Sequence, residues 1–155
     1  MLLAQAHIMR YSSGMQLLSP LEKSITQLDT NYQLIQSDIA GTNPTVKAAF
    51  RTATIQSFEY AYELAMRAIK RRLEAIAPSA EEIEALAFKP LLRTAAEKGL
   101  VDDPVAWFLY REKRNITAHT YDETKALDVL SAIPEFLVSA RFVLDALAAH
   151  DHASA

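Results

Sequence analysis

One short segment of the chain combines residue types that together can cleave RNA. This motif segment, REKRNITAHTYDE at residues 111–123, contains Arg114, Asn115 and His119. A histidine that titrates near neutral pH can take a proton from a ribose 2′-hydroxyl or give one to a leaving oxygen. An arginine can neutralise charge that grows on a phosphate, and an asparagine can hold the histidine tautomer or a phosphate oxygen. This set is sufficient for metal-independent cleavage through a 2′,3′-cyclic phosphate.

The same residues also have a purely structural interpretation. The polar end of an ordinary helix, capped by a half-buried histidine, would carry the same side chains. An arginine and a histidine at this separation also arise often by chance, so the pattern alone is a weak signal. The spacing by itself therefore leaves both interpretations open.

A helical wheel gives the helix that contains this segment two different faces. At about 100° per residue Val105, Leu109 and Ile116 fall together, with Phe108 nearby, which predicts the buried face. The opposite side is aromatic and basic, and we expect it to contact a partner or a second copy of the chain. Its members are Trp107, Tyr110, Arg114, Ala118 and Tyr121. Trp107 is accordingly predicted to lie in an interface or in the core rather than to stack on a base.

Arg114 and His119 do not converge on one atom if this helix is straight, because they lie about 140° apart on the wheel. They would converge if the helix loosens near Thr117. They would also converge if two chains pair across a two-fold axis and pool their residues. Glu112 and Asn115 share the flank that carries His119.

A polar ridge precedes the motif segment by about fifty residues. Gln56, Glu59, Tyr60 and Glu63 occupy positions i, i+3, i+4 and i+7, so they lie on one face of a helix. The ridge either lines a cleft opposite the motif helix, where it orients His119 or a nucleotide, or forms a solvated face with Tyr60 half packed.

Capping residues, prolines and glycines predict helices throughout the chain. Ser19, Pro20 and Glu22 form a capping box that opens the first helix, and Gly41 is predicted to end it. The second helix starts at Asn43 and runs for about 30 residues. Later boundaries are predicted at Ser79, Gly99, Asp103 and Pro134. No stretch alternates with a period of two for long enough to form a strand, so we predict an all-α, up-and-down bundle of four to five helices.

Length and composition indicate one globular domain with few special features. The 155 residues are enough to bury a core, and the formal net charge of −3 argues against a general nucleic-acid coat. No cysteine is present, which excludes disulfides and thiolate chemistry and fits a cytoplasmic protein. We predict a loosely ordered leader at 1–16, one domain at 17–148, and a tail at 149–155 whose histidines bind no metal. No membrane span, metal site or cofactor is predicted.

The order of several segments resembles the HEPN family (higher eukaryote and prokaryote nucleotide-binding domain). The likeness covers roughly residues 17–147 and is closest to the branch that pairs with minimal nucleotidyltransferases, known as nucleotidyltransferase substrate-binding proteins or HepT-like toxins. The segments that carry it are QSFEYAYELAMRAIKRRLE, AAEKGLVDD and RNITAHTYDE. Arg114, Asn115, His119 and Tyr121 occupy the positions of the Arg-x4-His-x-Tyr motif.

The resemblance implies a homodimeric helical bundle in which the motifs of two subunits face one cleft. In toxin members the Arg and His of this motif form the ribonuclease site, which corresponds to Arg114 and His119, with Asn115 in support. The partner nucleotidyltransferase adenylylates the motif tyrosine, here Tyr121, and so silences the toxin. Other members are substrate- or nucleotide-binding subunits without cleavage. The resemblance therefore predicts a ribonuclease toxin, with a non-catalytic binding subunit and a plain dimerisation module as alternatives.

Overall fold

A computed structural model describes residues 17–153 of the chain, and these residues form an all-α fold. The predicted leader, residues 1–16, lies outside the described residues. Five helices have ten residues or more, as expected for the predicted bundle, and three are shorter. They are α1 Leu18–Ile35, α2 Asp38–Thr42, α3 Pro44–Ile76, α4 Ala80–Glu84, α5 Phe88–Glu97, α6 Pro104–Ile116, α7 Glu123–Ser131 and α8 Ile133–His152, with a 3₁₀ turn, Thr117–His119, between α6 and α7. No strand occurs among the described residues, which confirms the predicted fold class.

The long helix α3 is the element on which the others pack. Asn43 caps it as predicted, since its Oδ1 accepts hydrogen bonds from the backbone N–H groups of Thr45 and Val46, and Pro44 occupies the first turn. The helix has 33 residues and contacts each of the other seven helices. Its buried side chains run from Thr54 to Ala75, so most of its length belongs to the core.

Aromatic rings join three of these helices in the centre of the core. Phe136 of α8 packs edge-on against Phe58 of α3, at 5.0 Å between ring centroids, and against Trp107 and Tyr110 of α6, at 5.8 and 5.3 Å. The Tyr110 hydroxyl lies 3.0 Å from the hydroxyl oxygen of Ser139 on α8, so its polar end is also satisfied. This cluster fixes the position of α6 against α3 and α8.

The prediction for the two faces of α6 was wrong. Tyr110, expected to contact a partner, is buried in the core of the chain itself, and Trp107 is buried there too, which is one of the two positions predicted for it. Val105 and Leu109, predicted to be buried, are 58% and 50% exposed. Burial of two large aromatic side chains removes more apolar surface from water than burial of a valine and a leucine. Aromatic rings on α3 and α8 pack against the aromatic side of α6. This side of α6 therefore faces the core, and the aliphatic side faces solvent.

Helix α1 begins and ends at different residues from those predicted. It starts at Leu18, without the predicted side-chain cap from Ser19, because the buried Leu17 already accepts a backbone hydrogen bond from Leu21. Pro20 fits inside this first turn, where a missing N–H costs nothing. The helix ends at Ile35 rather than near Gly41.

The remaining predicted boundaries agree with the structure. Ser79 caps α4, Gly99 follows α5 with a φ of +73°, and Asp103 caps α6. Pro134 lies in the first turn of α8, so the last helical stretch is broken as predicted.

Helix α8 continues to His152, inside the segment 149–155 that is predicted as a tail. The guanidinium of Arg72 is buried and forms an ion pair with Asp151, and its Nη2 also donates to the backbone carbonyl of Leu147. This contact anchors the last turn of α8 to α3. It also gives Arg72 a structural role.

Between residues 17 and 153, no helix combines the length and the apolar character that crossing a bilayer requires. In the same residues no three His, Asp or Glu side chains are grouped as a metal ion would need.

Loss of the Arg72–Asp151 pair should destabilise the protein. We expect Asp151→Asn to lower the free energy of unfolding by about 3 kcal/mol, since it removes the negative charge that pairs with the buried Arg72 guanidinium. Urea unfolding followed by the fluorescence of Trp107, the single tryptophan, measures this change. The control is His152→Ala, at the exposed end of the same helix, for which we expect a change within about 0.5 kcal/mol. Equal midpoints for the two variants would show that the pair does not anchor α8.

Candidate functional site

The motif segment begins in the last turns of α6 and changes to a 3₁₀ turn at Thr117. The Thr117 hydroxyl donates to the backbone carbonyl of Arg114 at 2.7 Å, and the Thr120 hydroxyl donates to the carbonyl of Thr117 at 3.1 Å. Side-chain hydrogen bonds of this kind compete with the regular helical ladder, and a 3₁₀ turn is a frequent way for a helix to end. The helix therefore loosens at the residue that the wheel had identified, which is one of the two routes by which Arg114 and His119 could converge.

Arg114 is held against α3 by two carboxylates. Its Nε donates to Oε1 of Glu63 at 3.1 Å, and its Nη1 lies 3.5 Å from Oε2 of Glu59. Nη1 also donates to the Thr117 hydroxyl at 3.1 Å. These contacts use Nε and Nη1, and within residues 17–153 none involves Nη2. The Arg114 side chain remains 30% exposed, so an incoming anion can reach it.

The polar ridge on α3 therefore contacts the motif segment through Arg114 and not through His119. No hydrogen bond or ion pair among residues 17–153 joins His119 to the ridge. Gln56 is exposed, and Tyr60, which is 59% exposed, faces a groove of about 390 Å³ between the start of α1 and α3. The structure brings Glu59 and Glu63 to Arg114 and leaves the other two ridge residues on the surface.

His119 and Tyr121 form the most exposed part of the motif segment. His119 is exposed at the end of the 3₁₀ turn, and its ring lies 6.3 Å from that of Tyr121, with the two planes at 77°. Tyr121 is 88% exposed, so its hydroxyl is accessible to another protein. The geometry pairs the histidine with the tyrosine, while the arginine is held on the side that faces α3.

Two further ion pairs fix the segment that follows His119. Lys113 of α6 donates to Asp128 of α7 at 2.6 Å, and Arg51 of α3 donates to Glu123 of α7 at 3.1 Å. The two pairs hold α7 against α6 and α3, so the connection from the 3₁₀ turn ends at a fixed helix. This restricts the position of Tyr121, although its side chain points into solvent.

Glu112 and Asn115 face away from Arg114. Both line a groove of about 840 Å³ between the start of α5 and α6. They share the flank that the helical wheel gave them, and both are exposed. The site thus extends over two sides of the end of α6, with Arg114 on one side and Asn115 on the other.

Neither tyrosine near the core is suited to acid–base chemistry. Burial raises the pKa of Tyr62 to about 12, and the nearby Arg111 lowers it only in part. Burial also raises the pKa of Tyr110 above its usual value, against a smaller opposite effect of its hydrogen bond to Ser139. Both phenols therefore stay neutral at physiological pH and take no part in proton transfer there.

Sequence reasoning missed two groups of residues near this site. Thr117 was noted as the place where the helix would loosen, but its hydrogen bonds to Arg114 were not foreseen. The basic residues of the groove beside Asn115 were not considered at all, although Lys89 and Arg93 are four residues apart on α5. That spacing was a usable signal, whereas the packing of α5 against α6 that brings Arg111 to them was not visible in the sequence.

The fold and the site together define a class of protein: an all-α bundle whose Arg-Asn-x3-His-x-Tyr segment spans a helix end and is braced by carboxylates of its longest helix. Residues 16–149 match the family model described as "Nucleotidyltransferase substrate binding protein like". The chain belongs to this family, which confirms the resemblance seen in the sequence.

Individual relatives agree with the family. A Haemophilus influenzae protein named "Probable ribonuclease HepT" is 38% identical over 128 residues, which are 82% of this chain and 84% of the relative. A solved H. influenzae structure, described as the fold of a substrate binding domain of a nucleotidyltransferase, matches with a TM-score of 0.80 at 35% identity, over 84% of this chain and 98% of its own. A crystal structure from Thermus thermophilus matches with a TM-score of 0.64 at 26% identity, over 82% of this chain and 98% of its own.

Proposed function

We propose that this chain is a HEPN-type subunit that works with a minimal nucleotidyltransferase and cleaves RNA without a metal ion. The observation that carries this proposal is the end of α6, where an exposed histidine follows an arginine that carboxylates and a threonine hold in place. The name of the H. influenzae relative, a probable ribonuclease, supports the same activity. The family description supports the nucleotidyltransferase as partner.

The proposed reaction is an intramolecular phosphoryl transfer. His119 takes the proton of a ribose 2′-hydroxyl, and the 2′-oxygen forms a bond to the adjacent phosphorus. The bond from phosphorus to the 5′-oxygen breaks, and that oxygen receives a proton from His119 or from water. The products are a 2′,3′-cyclic phosphate and a 5′-hydroxyl. Arg114 stabilises the charge that grows on the phosphate oxygens, and Asn115 orients the strand on the other side of the helix end.

The carboxylates beside Arg114 affect how readily it can bind the phosphate of the RNA. Glu63 and Glu59 offset its charge in the free protein, so a phosphate must compete with them. The unused Nη2 gives the phosphate a first contact, and the longer Nη1–Glu59 contact, at 3.5 Å, is the one most easily exchanged. In this proposal the ridge keeps the arginine extended until RNA arrives.

The same carboxylates favour a second candidate function. A guanidinium that two carboxylates neutralise permanently would bind a nucleotide weakly and would not stabilise a transition state. The chain would then be a non-catalytic subunit that presents substrate to the nucleotidyltransferase. The two candidates differ in whether the purified chain cuts RNA in the absence of its partner.

Regulation of the proposed ribonuclease acts through Tyr121. The partner transfers an adenylyl group from ATP: the Tyr121 hydroxyl oxygen bonds to the α-phosphorus, pyrophosphate leaves, and the phenolic proton passes to solvent. The 88% exposure of Tyr121 supports this reaction, because another protein can approach a side chain that the chain itself leaves uncovered. The added phosphate charge and bulk beside His119 would exclude the RNA phosphate.

Pairing of two copies belongs to the proposal, and we place the interface on the exposed side of α6. Val105 and Leu109 lie one turn apart, and exposed aliphatic side chains on a helix are typical of association surfaces. The same face continues to Glu112, inside the motif segment, so pairing there brings the motif segments of two copies to one interface.

The catalytic proposal predicts loss of RNA cleavage in two variants. We expect His119→Ala to lower the rate by about 10²- to 10⁴-fold, because proton transfer is lost, and Arg114→Ala by about 10²- to 10³-fold, because charge stabilisation is lost. Cleavage of end-labelled RNA in the presence of EDTA measures both rates. Lys125→Ala, an exposed cation on α7, is the control and should cut like the wild type. A wild-type chain that binds its partner but leaves RNA intact would establish the second candidate instead.

The regulatory proposal predicts that Tyr121→Phe escapes silencing. This variant should cleave RNA as the wild type does, and incubation with the nucleotidyltransferase and ATP should leave its activity and its intact mass unchanged. The matched control is Tyr60→Phe, which removes another exposed tyrosine hydroxyl and should still be silenced. A Tyr121→Phe chain that the partner silences as fully as the wild type would rule out this site.

The proposed interface predicts that Leu109→Asp separates the dimer. We expect the dissociation constant to rise by about 100-fold, because an unpaired carboxylate in a desolvated interface costs about 3 kcal/mol. Sedimentation equilibrium over a range of concentrations measures this change. Val138→Asp, at a 64% exposed aliphatic position on α8, is the control and should remain dimeric. The opposite outcome, with Val138→Asp monomeric and Leu109→Asp dimeric, would move the interface to α8.

A further inference from the structure

A basic groove lies on the side of α6 that carries Asn115. It runs between the start of α5 and α6, has a volume of about 840 Å³, and is open to solvent on one side. Its cations are Lys89, Arg93 and Arg111, and its aromatic rings are Phe88 and Phe108. None of these residues belongs to the catalytic proposal above.

The two phenyl rings hold the three cations in place. The guanidinium carbon of Arg111 lies 4.1 Å from the centre of the Phe88 ring, and that of Arg93 lies 5.7 Å from the centre of the Phe108 ring. The Lys89 ammonium is 5.2 Å from the same Phe108 ring. The negative face of an aromatic ring attracts a cation without neutralising its charge. The cations are thus positioned and still available to an anion.

These cations differ from the other basic residues around the site. Arg114, Arg51 and Lys113 each form an ion pair with a carboxylate. Within residues 17–153, no carboxylate forms an ion pair with any of the three groove cations, and Glu112 is the single acidic residue in the lining. The groove therefore has an excess of positive charge, on a chain whose net charge is −3.

The size and position of the groove indicate which anion it binds. Its volume is in the range of about 300–1,000 Å³ that ligand sites occupy, and three cations around two rings can contact successive phosphates. Sites for single-stranded nucleic acid combine a basic groove with aromatic side chains in this way. At its α6 end the groove reaches Asn115, the residue next to Arg114. A strand in the groove would therefore continue to the end of α6.

We propose that the basic groove binds the phosphodiester backbone of single-stranded RNA next to the bond that is cut. This inference rests on the proposed ribonuclease function and adds a subsite to it. The groove supplies affinity that is independent of base sequence, while Arg114 and His119 act on one phosphate. A free nucleotide offers the same phosphate chemistry, but it would use only part of the groove.

RNA binding by a charge-neutralised groove tests the proposal. The variant is Lys89→Gln/Arg93→Gln/Arg111→Gln in the full chain, and all three side chains are exposed, so the fold should be preserved. The control is Lys23→Gln/Lys98→Gln/Lys125→Gln, which removes the same charge from three exposed positions outside the groove. The probe is a fluorescein-labelled, 2′-O-methylated single strand of about 12 nucleotides, which fits such sites and cannot be cleaved through the 2′-oxygen.

We expect the groove variant to bind the probe at least tenfold more weakly than the control, by fluorescence anisotropy at low salt. The slope of log affinity against log salt concentration should also become shallower by about 2, because each lost phosphate contact reduces this slope by about 0.7. Equal affinity and equal slope for the two triple variants would overturn the proposal. The proposal would also be overturned by a groove variant that keeps RNA binding and loses either ATP binding or its complex with the nucleotidyltransferase.

His119→Ala separates this inference from the proposed catalysis. We expect this variant to bind the probe as the wild type does, because the groove is intact. A wild-type chain that binds the probe through the groove and cuts no RNA would leave the inference standing and remove the ribonuclease activity. If the wild-type chain cuts RNA but the groove variant binds the probe as tightly as the control does, the ribonuclease activity stands and the inference about the groove is overturned.

Discussion

Burial of α3 is the constraint on which the rest of the structure depends. The helix contacts each of the other helices between residues 17 and 153, and its apolar side, which includes Phe58 and Tyr62, is covered along most of its length. Glu59 and Glu63 each follow one of these buried aromatics directly in sequence, so they emerge at the edge of the covered side. The packing that buries the two aromatic side chains therefore also fixes the positions of the two carboxylates, and these carboxylates bind Arg114.

The rotation of α6 follows from the same core and determines the site. Trp107, Tyr110 and Arg114 lie at i, i+3 and i+7, so they share one side of the helix. Because the two aromatics pack against Phe136, Arg114 is directed to α3 and its carboxylates. The opposite side then exposes Leu109, and the flanks carry the basic groove. One rotation thus sets the proposed catalytic side, the RNA subsite and the proposed dimer face.

The local parts of this architecture were predictable from the sequence, and the choice between faces was not. Caps such as Asn43 and Asp103 act through hydrogen bonds within three residues, so sequence order is enough to find them. The wheel for α6 showed an aliphatic side and an aromatic side, and both were plausible core faces. The decision depends on Phe136 and Phe58, which are distant in sequence. The Arg72–Asp151 pair was missed for the same reason, since its partners are 79 residues apart.

The two kinds of cation in this chain suit different steps of the proposed reaction. The groove cations rest on aromatic rings, so a phosphate can approach them without breaking an ion pair. Arg114 must exchange at least one carboxylate contact before it can act on a phosphate. A strand that is first bound in the groove raises the local concentration of phosphate beside Arg114, which favours that exchange. In the proposed reaction, bound RNA thereby frees the arginine for catalysis, while free nucleotides, which lack contacts along the groove, leave it paired with α3.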